Sequence, residues 1–187
     1  MFREVKEIAI RDGNALLRSA RADDAADIYA CLRDCVCETP YMYRSPDECD
    51  DAPEKYERYI KSVEDSPYSL KLLAIVGGRI AGFARLDLEK RRKIRHRGEI
   101  GIVAIRKEFW RHGIGRAMLA ELLQAAREAN VTQLELDVAA TNAPALALYK
   151  SLGFVETGRR KHGIILDDGT EIDEIFMQMF FDEACRC

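Results

Sequence analysis

The sequence predicts a single α/β (α+β) domain in which a mixed, mostly antiparallel sheet carries helices on both faces. Two observations set that class. Pairs of strand-like segments bracket short Asp-Gly and Gly-Gly turns, the mark of antiparallel hairpins. Among them lies one strand–helix–strand–helix run whose first strand is apolar almost throughout, as a strand covered on both faces must be. The 187 residues suffice for one sizeable core, and no repeat, linker or second domain interrupts them, so 1–187 reads as one domain.

The elements follow in order. Glu7–Arg11 and Ala15–Arg18 flank Asp12-Gly13-Asn14, so residues 1–14 read as an extra N-terminal strand entering a hairpin. A helix is expected from about Asp23, with Ala25, Ile28, Leu32 and Cys35 on one stripe. Glu38 to Asp51, rich in Pro, Asp and aromatic residues, reads as irregular. A second helix starts near Asp51, with Tyr56, Tyr59, Ile60 and Val63 on one side. Leu70–Val76 and Arg79–Ala84 bracket Gly77-Gly78, a second hairpin. Glu99–Ile105 is the apolar strand, and Ile114, Met118, Leu122 and Ala125 then repeat at helical spacing. Gln133–Val138 alternates strictly and reads as a strand. Asn142 caps a short helix with Pro144 in its first turn, and a last hairpin turns at Asp167-Asp168-Gly169.

Charge and cysteines narrow the function classes. A formal net charge of -3 offers no general attraction to nucleic acid or anionic membrane. No apolar run spans a bilayer, and the first residues are too charged for a secretory signal, so the chain reads as cytoplasmic. Cys31, Cys35, Cys37, Cys49, Cys185 and Cys187 read as free thiols, since a chain this well patterned does not need disulfides. His96, His112 and His162 are scattered, so no metal site is expected.

The informative segment is Ile105 to Ala117, where a buried strand meets a helix through Gly113 and Gly115. Glycines allow a sharp turn and leave backbone N–H groups uncovered, and the helix start adds partial positive charge. Such a turn holds phosphate, with Arg111 and Arg116 as fixed cations beside it. A bare Gly-x-Gly is equally a tight connection. Met118 stands where the dinucleotide fingerprint needs a third glycine, and the P-loop lysine spacing does not occur.

The segment Trp110-Arg111-His112-Gly113-Ile114-Gly115 resembles the acetyl-CoA motif of the GNAT superfamily of N-acetyltransferases: Gln or Arg, two residues, Gly, one residue, then Gly or Ala. Trp110 replaces the usual Gln or Arg. A second motif agrees with it, from Asn142 through Leu148-Tyr149 to Leu152-Gly153-Phe154, and the order of elements fits from about residue 15 to 181. The resemblance implies splayed central strands, Glu99–Ile105 and Gln133–Val138, with the pantetheine arm of acetyl-CoA filling the gap as a substitute strand. It implies cofactor contacts from Val103, Ala104, Ile105, Arg111, His112, Gly113, Ile114, Gly115, Arg116 and Asn142. An N–H within Val103–Ile105 would polarise the thioester oxygen.

The same resemblance makes Tyr149 the candidate acid for the coenzyme A thiolate, although on pattern alone it could simply pack on its helix. Glu99 matches the catalytic glutamate of the histone-acetylating branch and is the candidate base; the alternative is a polar residue at the start of its strand. Glu135 and Asp137 read as a solvated strand face. The expected activity is acetyl transfer to a primary amine of a small molecule or peptide by direct attack. A non-catalytic acyl-CoA sensor is the alternative. The loop holding Glu38, Tyr41, Tyr43, Arg44, Asp47, Glu48, Asp50 and Asp51 borders the acceptor pocket by resemblance, and its mixed charges do not choose an acceptor. Lys90–Arg97 is a basic run that reads first as a solvated loop and second as an interaction surface. No membrane or nucleic-acid partner is expected, and a homodimer is left open.

Overall fold

The computed structural model describes residues 1, 3–49 and 52–181. Through them run β1 (Lys6–Ile10), β2 (Gly13–Ser19), α1 (Ala25–Glu38), α2 (Pro53–Glu64), β3 (Ser69–Val76), β4 (Arg79–Leu88), β5 (Arg97–Ile105), α3 (Ile114–Glu128), β6 (Gln133–Ala139), α4 (Ala143–Leu152), β7 (Val155–Ile165) and β8 (Glu171–Phe180). All eight strands join one sheet in the order β1-β2-β3-β4-β5-β6-β8-β7. Every neighbouring pair is antiparallel except β5 and β6, which are joined through α3 and run parallel.

Each face of the sheet buries its own core. On one face Leu70, Leu72, Ala84, Leu86, Ile100, Leu134 and Leu136 pack under the apolar stripe of α3, from Ile114 to Ala126. On the other, Leu73, Phe83 and Ala104 meet Ile28, Cys31, Leu32 and Cys35 of α1 and Tyr56 and Ile60 of α2. Cys31 and Cys35 are therefore core residues, and the four described cysteines are free thiols. Cys185 and Cys187 lie outside the described residues, as do Asp50 and Asp51. The second helix begins at Pro53, whose fixed φ and missing N–H suit a first helical turn. Lys90–His96 forms the turn between β4 and β5.

Two departures from regular pairing mark the centre of the sheet. β5 pairs β6 only at Arg97↔Gln133, Gly98↔Leu134 and Glu99↔Glu135. The closed end is stapled by Arg97, whose Nη2 reaches both Glu135 oxygens at 2.7 and 2.8 Å. Beyond Glu99 the strands part, and β6 continues against β8 alone. On its other side β5 bulges, the register against β4 slipping between Ala84↔Val103 and Leu86↔Ile100. Bulges bend a strand and re-aim its side chains.

Candidate active site

The parting of β5 from β6 opens a cleft of about 1680 Å³. Drug-sized ligands occupy roughly 300–1,000 Å³, so this volume suits two ligands meeting end to end. Its walls divide into two halves.

One half is built around the strand-to-helix turn. Val103, Ala104 and Ile105 end β5 facing the gap, where the partner strand that would take their backbone hydrogen bonds has moved away. Gly113 caps α3 with φ +88°, a left-handed conformation that L side chains rarely adopt. Gly115 is needed for a different reason: a Cβ there would meet Ile105 Cδ1 at 3.1 Å and Leu148 Cδ2 at 3.3 Å. Neither α3 nor α4 carries an acidic residue in its first turn, whereas α1 has Asp27 and α2 has Glu54. The positive ends of the two helices at the cleft are thus left for an incoming anion. Arg111 and Arg116 line the same wall, and Arg116 Nη2 is held by Ser151 Oγ at 2.6 Å. Asn142 caps α4 through Oδ1, which accepts from Ala145 N at 3.3 Å, and it also faces the cleft. Trp110 donates its indole N–H to Ile105 O at 2.6 Å, fastening the turn to the end of β5.

His112 departs from its expected place. Its ring turns away from the cleft toward the first hairpin, with Nε2 2.9 Å from Asp12 Oδ2 and Nδ1 2.9 Å from Trp110 O. Its carbonyl accepts from Arg11 N. The imidazole therefore braces β1 and β2 against the turn, and only the backbone of His112 remains near the phosphate side.

The other half is built from side chains. Glu99 stands on β5 at the last paired position before the strands part. Burial, and after it the Asp137 carboxylate, push its pKa above the ordinary carboxylate range. Tyr149 is buried on α4 with its ring edge against Phe154, and its hydroxyl is bonded to no described residue. Burial first and Asp137 second push its pKa up to about 12.

Asp137 is a correction to the reading of β6 as a solvated face. The strand alternates as expected, but the loop after α1 folds over that face. Tyr43 Oη lies 2.5 Å from Asp137 Oδ2 and 2.6 Å from the buried Glu174 Oε1, and Glu174 also pairs with Arg160. Burial and these two carboxylates push the Tyr43 pKa up. Tyr41 Oη donates to Thr141 O at 3.2 Å, and Ser45 Oγ to Asp167 Oδ1 at 2.5 Å, so the loop is strapped across the opening. Glu135 is occupied by Arg97 at the closed end. Two cations escaped the sequence reading altogether: Lys71 of β3 and Arg85 of β4 line the floor of this half. The available signal was their setting, single cations inside Leu70–Val76 and Phe83–Leu86, runs otherwise apolar.

The acetyltransferase (GNAT) family model matches residues 32–154, most of the chain and both walls of the cleft. The chain belongs to this family. GNAT acetyltransferases use acetyl-CoA, and the structure of phosphinothricin acetyltransferase from Sinorhizobium meliloti, in complex with AcCoA, shares the fold at TM-score 0.78 and 24% identity, over 90% of this chain and 89% of that one. A GNAT-family acetyltransferase from Streptococcus pneumoniae superposes at TM-score 0.83 with 29% identity, covering 89% of this chain and 99% of that one. Among curated relatives, the [ribosomal protein bS18]-alanine N-acetyltransferase of Escherichia coli K12 is 40% identical over 77 residues, 41% of this chain. The match spans about half of that relative's length, 51%.

Proposed function

We propose that the cleft transfers the acetyl group of acetyl-CoA to a primary amine of a small molecule or protein, by direct attack while both substrates are bound. The observation that carries this reading is the parting of β5 from β6 between a phosphate-suited turn on one side and Glu99 and Tyr149 on the other. Backbone N–H groups of Ile114 to Arg116, with Arg111 and Arg116, suit the pyrophosphate. Val103 to Ile105 suit the pantetheine arm, with an N–H of that segment toward the thioester oxygen. The amine nitrogen bonds the carbonyl carbon as the C–S bond breaks. Glu99, whose raised pKa makes it a better proton acceptor than an ordinary carboxylate, takes the ammonium proton directly or through water. Tyr149, neutral throughout the physiological range, gives its proton to the thiolate and regains one from the second N–H proton, which the nitrogen sheds as the amide forms. The presence of both groups in one cleft favours an enzyme over a sensor, which needs only the turn.

Gly113→Asp tests the placement of the coenzyme. A Cβ at Gly113 meets nothing within 4 Å, but φ +88° strains any L side chain there, so the circular dichroism of the ligand-free variant should first match that of the wild type; the substitution sets a negative charge at the turn. Acetyl-CoA at ~100 times its dissociation constant should stabilise the wild type by ~2.7 kcal/mol in a thermal-shift assay, and the variant by far less. Equal stabilisation of both would move the phosphate site elsewhere.

A further inference from the structure

Lys71 is the least expected charge in the molecule. It is 2% exposed, deeper than any other lysine, and its ammonium group has no hydrogen-bond acceptor or ion-pair partner among the described residues. Around Nζ stand three rings, Phe83 at 4.3 Å, Tyr59 at 5.2 Å and Tyr56 at 5.9 Å from their centroids. Ring faces attract a cation but accept none of its three N–H bonds in line, so those bonds are left for whatever fills the cleft that Lys71 lines. The register makes matters worse, because Lys71 lies directly opposite Arg85 on the same sheet face. Like charges at directly opposed positions repel. The Arg85 guanidinium is itself fixed, with Nη1 donating to Tyr59 Oη at 2.8 Å and Nε 2.5 Å from Asp87 Oδ2. It lies beneath the β5 bulge, where a Cβ on Gly101 would come within 3.4 Å of Nε and Nη2.

The floor of the acceptor half is therefore polarised along one sheet face. Lys71 and Arg85, on β3 and β4, form the cationic end; Glu99 and Asp137, on β5 and β6, form the acidic end. Strands stand ~4.8 Å apart, so the ends are separated by ~5 Å between β4 and β5 and by ~14 Å between β3 and β6. We propose that this floor selects an acceptor that is a small aminocarboxylate, its amine held toward Glu99 and Asp137 and its carboxylate bound by Lys71 with Arg85. The carboxylate supplies the acceptor that the Lys71 ammonium lacks and separates two facing cations. Lys71 thus acts as a specificity residue, touching substrate but not the reacting atoms. The inference rests on acetyl transfer in this cleft and adds the chemical class of the acceptor.

Proton linkage gives a second readout. Lys71 is surrounded by Arg85 and Asp87 of β4, Glu99 of β5, Tyr56 and Tyr59 of α2 and Cys31 of α1. Burial, then Arg85, bring its pKa down to about 7. An anion seated beside it raises that value again, so at pH 8 carboxylate binding draws a proton onto Lys71.

The test follows thiol release from acetyl-CoA with matched pairs: glycine and glycinamide, β-alanine and its amide, 4-aminobutyrate and its amide, together with 1,4-diaminobutane and an alanine-starting tetrapeptide amide. The carboxylate of at least one pair should exceed its amide by ~10-fold or more in kcat/KM, although the amide's amine is the less basic and so the more available. Lys71→Met should lower kcat/KM for that carboxylate by ~10–100-fold, with less than ~2-fold change for the amide. Calorimetry at pH 8 in buffers of different ionisation enthalpy should find proton uptake with the wild type and none with Lys71→Met. Amides matching or exceeding their carboxylates in every pair, or the diamine or tetrapeptide alone acting as acceptor, would overturn the carboxylate site and leave acetyl transfer standing. So would equal losses on both members of every pair. No thiol release with any amine, charged or neutral, would instead count against acetyl transfer itself, and the carboxylate site would fall with it.

Discussion

On the function proposed, the two halves of the cleft recognise their ligands by different means. The coenzyme half is made of backbone: the end of β5, a left-handed glycine and two helix starts free of acids, nearly all within residues 103–116. The acceptor half is made of side chains from Tyr43, Tyr56, Tyr59, Lys71, Arg85, Glu99 and Asp137, drawn from a loop, a helix and four strands. Backbone recognition needs a contiguous segment with glycines at fixed offsets, so it leaves a readable motif. Side-chain recognition can be rebuilt one position at a time. Acceptor choice can therefore change without disturbing the coenzyme wall.

Three substitutions sharpen or break that contrast. The largest effect is expected at the junction of the halves. Tyr149→Phe keeps the ring against Phe154 and should lower kcat by ~10²–10⁴-fold for every acceptor alike, with acetyl-CoA affinity unchanged. Pre-steady-state kinetics showing an undiminished chemical step would return Tyr149 to a packing role.

Next in size is Glu99→Gln, which belongs to the acceptor half and should depend on the acceptor's own basicity. Since burial and Asp137 raise the pKa of Glu99, its protonated, inactive form persists to higher pH than for an ordinary glutamate, so the acidic limb of kcat/KM should lie correspondingly high. The variant should lose ~10²-fold near neutrality and recover partly as the pH rises and solvent deprotonates the amine. Matching pH–rate profiles for variant and wild type would assign proton removal to another group, with Asp137, which also lines the cleft, the next candidate.

The smallest effect falls on stability, and its sign is the telling part. Lys71→Met should raise stability by ~1–4 kcal/mol, because a buried, unpaired ammonium gives way to an apolar chain of similar length. The folded-state pKa of about 7 lies below the unfolded value. Between the two the unfolded chain holds the extra proton, so wild-type stability rises with pH across that window. The advantage of the variant should therefore be fullest below about pH 7 and fade toward pH 10.5. Urea denaturation at pH 6 and pH 10 would show it; a variant less stable at both would mean that Lys71 is held by interactions of its own.

The sheet and its hairpins were legible because Gly13, Gly77-Gly78 and Gly169 all sit in left-handed turns that few other residues tolerate. The phosphate turn was legible for the same reason at Gly113. Asp137 was not, because period-2 alternation in β6 says that Glu135 and Asp137 share a face but not what covers it. Only the fold brings Tyr43, 94 residues away, over Asp137, and leaves Glu135 to Arg97. Lys71 and His112 show the same limit from opposite sides. Long-range packing buries the lysine that no local pattern explains, and it swings the histidine of the motif onto Asp12.

Trp110 is the one tryptophan in the chain, and it stands in the coenzyme turn with its indole N–H on Ile105 O and 41% of its surface exposed. The molecule consequently carries its own optical probe at the place where a pyrophosphate would arrive. Emission excited selectively in the indole band comes from that site alone, without background from elsewhere in the fold. A label-free titration of this signal reads occupancy of the coenzyme wall directly, whatever acceptor is present.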